Sequence, residues 1–125
     1  MTLITIMISS NSSPNIDFKN LYGDWTGNYL GIDIFFKVTN DRGCKIELIN
    51  KSENTKEVFN GNCFIDLNKY PYSLTMKNIQ NKDYSLYTVI KSFDGGVLEI
   101  TQFSTKWRLR EINLSKKNII TLNKI

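Results

Sequence analysis

The sequence predicts an all-β domain, an antiparallel meander closed into a small barrel of about eight to ten strands. Three observations predict it. From Trp25 onward, short runs rich in Ile, Val, Phe, Tyr and Thr are separated by Asn, Asp, Gly, Lys and Ser, the punctuation of successive hairpins. Helical periodicity persists nowhere in the chain. Alternation of period two gives several strands a continuous apolar face, and an open sheet of that size would leave long exposed edges, which closure removes. With 125 residues and 41% hydrophobic side chains, the chain matches one domain with one core.

Residues 1–14 read as a loosely held tail that ends in the linker-like Ser9-Ser-Asn-Ser-Ser-Pro14. The opening Met1-Thr-Leu-Ile-Thr-Ile-Met-Ile8 is a short apolar run, interrupted by threonine, with no basic residue in front of it. An export signal needs a basic start and a longer apolar stretch, so a cytoplasmic location is favoured, with a secreted or periplasmic one as the alternative. No run approaches the length of a membrane-spanning helix. The barrel domain then occupies residues 15–125. Ile16, Phe18 and Leu21 predict one short helical turn ahead of Gly23. Strands follow at 24–31, 32–39, 43–50, 56–61, 62–67, 71–78, 84–92, 96–103, 105–112 and 118–123, the fourth and fifth readable as one bent strand. Turns fall at 40–43, 52–55, 78–83 and 94–96, and Asp94-Gly-Gly96 is the clearest hairpin signal.

Centring the second turn between Glu53 and Asn54 pairs Cys44 with Cys63, Ile46 with Gly61 and Leu48 with Phe59, all on one face. Directly opposed cysteines form a cross-strand disulfide in an oxidising compartment and two small buried thiols in a reducing one. Without a convincing export signal the thiol reading is favoured. Two cysteines with no histidine make a poor metal site, so no metal is expected.

The segment Leu21-Tyr-Gly-Asp-Trp-Thr-Gly27 resembles the opening of a calycin-type barrel, where a short helical turn leads into Gly-x-Trp on the first strand. Gly23 and Trp25 occupy those positions. Gly61-Asn-Cys-Phe-Ile-Asp-Leu-Asn-Lys-Tyr-Pro71, Ser73-Leu-Thr-Met76, Asp94-Gly-Gly-Val-Leu98 and Ile119-Ile-Thr-Leu122 are similar to the corresponding stretches of small lipocalin-like bacterial domains with no assigned activity, so the likeness covers most of residues 20–125. The resemblance implies that Trp25 plugs the closed end of the barrel and that an arginine late in the chain, Arg108 or Arg110, packs over it.

Chemistry is sparse. There is no histidine, no nucleotide-binding glycine loop, no nucleophile elbow and no zinc-protease helix, so no enzyme activity and no cofactor are expected. Asp33, Glu47, Asp66 and Glu99 fall within strands, and a solvated outer face is their expected place. Tyr29, Phe36, Tyr72, Tyr87 and Trp107 are the candidate ligand-lining residues, each an apolar body in the proposed alternation and most with a polar handle. The leading expectation is a noncatalytic module that holds a small apolar or amphipathic ligand in the barrel or at its mouth. The alternative is a filled barrel that docks a protein partner through outer apolar residues, for which Phe35, Phe64, Ile79 and Phe93 are candidates. Basic and aromatic residues interleave from Lys106 to Arg110, but the net charge of +4 is spread along the chain and nucleic acid is the least favoured partner.

Overall fold

A computed structural model of the chain describes residues 18–106 and 115–125. A 3₁₀ turn at Phe18–Leu21 leads into eight strands: β1 (Gly23–Tyr29), β2 (Ile32–Val38), β3 (Gly43–Asn50), β4 (Thr55–Asp66), β5 (Tyr72–Lys77), β6 (Leu86–Asp94), β7 (Val97–Thr101) and β8 (Ile119–Lys124). Every neighbour pair is antiparallel and consecutive in sequence, and β8 returns to β1 to close the barrel. The all-β class, the meander, the closure and the entry turn are therefore as the sequence predicts. The fourth and fifth predicted strands are one twelve-residue strand, β4. Of the strand expected at 105–112, residues 105–106 form a bend, and 107–114 lie outside the described residues.

Closure depends on a close crossing. A Cβ built on Gly27 would lie 2.3 Å from the Thr121 carbonyl oxygen and 2.9 Å from Leu122 Cδ2, so β8 passes over β1 where only hydrogen fits. The seam itself is short. Trp25 pairs with Lys124 and Thr26 with Asn123, and the Ile125 N–H donates to the Asp24 carbonyl at 2.9 Å.

The β3–β4 register differs from the predicted one by two residues. Cys44 faces Gly61, Ile46 faces Phe59 and Asn50 faces Thr55, so the loop is Lys51 to Asn54. The reason is turn chemistry. Asn50 Oδ1 accepts from the Ser52 hydroxyl and the Glu53 N–H, and Asn54 takes a left-handed φ of 54°, a conformation asparagine tolerates. A slip of two preserves the faces, which is why the predicted inward set survives the wrong partners. Cys44 and Cys63 are then diagonal neighbours, and they are joined by a disulfide with Cα atoms 6.0 Å apart, which corrects the favoured reading of two thiols.

A bulge produces a second correction. Ile90 pairs with Ile100, but Ser92 pairs with Glu99 and Phe93 with Leu98, so one extra residue is inserted near Lys91. Alternation continued through that point would turn Phe93 outward. The bulge turns it inward instead, where its ring meets Trp25 edge-on at 5.9 Å between centroids. Ile79, also expected on the outside, is buried beyond the end of β5. Phe35 and Phe64 are each 40% exposed, as expected.

The inward rows fill most of the barrel. Trp25, Phe36, Ile46, Leu74, Leu98 and Ile100 are all essentially inaccessible and belong to one cluster. The buried hydroxyls are satisfied: Thr88 Oγ1 donates to the Thr101 carbonyl at 2.6 Å, and Thr101 Oγ1 accepts from the Val89 N–H at 3.0 Å. The antiparallel order sorts the connections into two ends. The base carries the entry turn with loops 39–42, 67–71 and 95–96. The mouth carries 30–31, 51–54, 78–85, the end of β7 and the start of β8.

Candidate functional site at the barrel mouth

The base is closed by its own side chains. Trp25 is fully buried, and its Nε1–H donates to the Leu21 carbonyl at 2.9 Å, so the entry turn is tied directly to the first strand. Lys124, at the end of β8, places Nζ 5.5 Å from the centre of the indole ring. Gly23 makes that possible: its φ of +124° disfavours other residues, and a Cβ there would lie 2.9 Å from Lys124 Cε. A cation from the last strand thus covers Trp25, and it is a lysine. Arg108 and Arg110, which the resemblance put forward for that role, lie outside the described residues, as does Trp107.

At the mouth the inward rows run out before the barrel is full. Ile32, Ile34 and Leu48 from β2 and β3, with Ile120 from β8, surround a cavity of about 190 Å³. Gln102 and Phe103, just after β7, close part of the opposite side, and Tyr29 completes the wall. The Tyr29 hydroxyl donates to the Lys117 carbonyl at 2.9 Å and accepts from Gln102 Nε2 at 3.0 Å, which pins β1 to both ends of the β7–β8 link. Ile32 and Leu48 also border a second hollow of about 250 Å³, whose rim is Asn50, Glu53, Thr55 and Glu57. Apolar floor and polar rim are therefore continuous.

The four predicted lining residues that are described, Tyr29, Phe36, Tyr72 and Tyr87, do not form one site. Tyr29 stands at the mouth. Phe36 is buried in the filled interior. Tyr72 lies at the base, its ring edge-on to Tyr70 at 5.3 Å. Tyr87 alternates with the inward Leu86 and Thr88, so it belongs to the outer face, where its backbone pairs with Ser104; this corrects its placement in the lining. Gln102 and Phe103 went unnoticed because the sequence reading carried the strand on to residue 103, whereas β7 ends at Thr101 and both residues leave the ladder there. Glu57 went unnoticed because the assumed register did not bring it level with Leu48.

The four strand carboxylates take outer-face positions, and each has a local partner. Asp33 accepts from Asn28 Nδ2 at 2.9 Å and meets Lys51 Nζ at 3.4 Å; the Asn28 hydrogen bond leads in holding its carboxyl below the ordinary aspartate value, and burial opposes it. Glu47 lies 3.7 Å from both Lys45 and Lys56. Glu99 accepts from the Ser92 hydroxyl, and Asp66 accepts from the Asn68 N–H. In the turn at the base, the Thr39 hydroxyl and then the Gly43 N–H hold Asp41 below its ordinary value. Among the described residues no group of three or more metal-ligating side chains occurs, and no helix is long and apolar enough to cross a membrane. No family model, curated protein or solved structure matches the chain.

Proposed function

We propose that the protein is a noncatalytic, calycin-type binding module that holds a small apolar or amphipathic molecule at the mouth of its barrel. The observation that carries this reading is the cavity bounded by Tyr29, Ile34, Leu48, Phe103 and Ile120 above an otherwise filled interior. Its volume is comparable to that of an engineered cavity of about 150 Å³ that binds benzene, so the buried part of a ligand is about one ring or a short chain. The Gly23, Trp25 and Lys124 arrangement supports the calycin likeness, because it seals one end and leaves the other as the entrance. The test is displacement of a hydrophobic fluorophore, repeated with Leu48→Trp. Leu48 is half-buried at the edge of the cavity, so an indole there fills the space and abolishes binding while the barrel remains folded. Equal binding by the variant would rule out the mouth as the site.

A second reading, docking of a protein on the outer face, rests on Phe35 and Val58, which flank Glu47 across β2, β3 and β4 and are 40% and 39% exposed. Lys37, Lys45 and Lys56 surround them, and the exposed Ile125 lines a shallow hollow of about 220 Å³ with Phe35, so the apolar patch is three side chains wide, well below the size of a stable interface. The mouth remains the better-supported site.

A further inference from the structure

The mouth has a chemical sign as well as a size. Glu57 has the inward parity of β4, directly opposite Leu48 and two residues from the buried Phe59, with its side chain exposed at the rim. The inward row across these strands reads Ile34, Leu48, Glu57, so a carboxylate ends a wall that is otherwise apolar. Glu57 is paired with none of the described residues. The two lysines nearest to it in the hairpin are engaged on the outer face, Lys56 with Glu47 and Lys51 with Asp33.

Among the described residues, the polar groups beside the apolar pocket are already engaged. The Tyr29 proton is given to the Lys117 carbonyl, and a Gln102 amide N–H is given to Tyr29. The Asn50 side-chain oxygen serves its own turn, and Glu53 adds a second carboxylate to the rim. A ligand seated on Ile32 and Leu48 therefore meets, at its outer end, the Glu53 and Glu57 carboxylates beside the neutral Asn50 amide and Thr55 hydroxyl, and a cation answers the charge of that rim. We infer that the preferred ligand is a small hydrophobic amine, its ring or short chain in the apolar pocket and its ammonium group on Glu57. The inference rests on the mouth reading above. It also runs against the net charge of +4 and against the exposed Lys116 and Lys117 on the far side of the opening, so an anionic competitor is a stringent control.

The experiment compares 2-phenylethylamine, 2-phenylethanol and phenylacetate by calorimetry at low salt, with wild type, Glu57→Gln and Glu47→Gln. The account expects the amine to bind about 1.5- to fivefold more tightly than the alcohol, the range of an exposed ion pair, and the carboxylate to bind most weakly. In Glu57→Gln the amine-to-alcohol ratio falls toward one. In Glu47→Gln, which removes the same charge from the outer face, the ratio is kept, and added salt narrows it in wild type. If the alcohol binds but the amine binds no better, or phenylacetate binds best, the amine assignment is overturned and the mouth pocket stands. If none of the three binds, both fail together.

Discussion

Replacing Gly27 with alanine tests the closure of the barrel at its tightest point. The added Cβ would sit 2.3 Å from the Thr121 carbonyl oxygen, about 1 Å short of ordinary contact, and 2.9 Å from Leu122 Cδ2. The first obstacle is backbone, so relief requires β8 to move off β1. That seam is held by the two residue pairs Trp25–Lys124 and Thr26–Asn123 and by the Ile125 to Asp24 hydrogen bond. Overpacking a close crossing costs about 1–3 kcal/mol, and loosening one of these hydrogen bonds adds about 1 kcal/mol, giving a loss of about 2–4 kcal/mol. Guanidinium chloride unfolding followed by tryptophan fluorescence would read this as a midpoint lowered by about 0.5–1 M. Gly96→Ala is the control, because the nearest atom to its added Cβ is 4.0 Å away. A Gly27→Ala midpoint equal to that of Gly96→Ala would refute the crossing.

Three further predictions concern what holds the barrel. Removing the disulfide as Cys44→Ala/Cys63→Ala frees a 19-residue span and lowers stability by about 3 kcal/mol on loop-entropy grounds, measured by the same denaturation; no change would show that the hairpin needs no staple. Trp25→Phe loses the hydrogen bond to Leu21 and part of the contact with Phe93 and Lys124, and costs about 2 kcal/mol by thermal unfolding. Asp33 and Asp41 both have folded-state values held down, so the stability they contribute is present above the ordinary aspartate range and is lost as pH falls through their lowered values. Urea midpoints should therefore hold between pH 7 and 5 and decline below about pH 4, with a shallower decline in Asp41→Asn; an unchanged slope would remove Asp41 from the account.

Much of the fold was legible because alternation reports directly on burial: Ile34, Phe36 and Val38, or Leu74 and Met76, could only face a core. The failures fall where alternation or pairing is reset by geometry that the pattern does not encode. The bulge near Lys91 reversed Phe93, and the Asn54 turn moved Cys44 from Cys63 to Gly61. The disulfide went against an argument from location, which says nothing about whether two side chains meet. The candidate site was less legible than the fold. Aromatic residues in strands signal burial, and Phe36 and Tyr72 are consumed by packing at the centre and base. The mouth is made where strands end, at Gln102, Phe103 and Glu57, and its membership follows from register and from where β7 ends.

The most direct measurement for the mouth is a methyl-resolved NMR titration with 2-phenylethanol, a neutral probe that isolates the pocket from its charge. The account predicts that the methyl signals of Ile32, Ile34, Leu48 and Ile120 shift together and saturate, while those of Leu74, Leu98 and Ile100 in the filled interior stay in place. Shifts confined to the outer Val58, or no saturable shifts at all, would contradict a binding site at the barrel mouth.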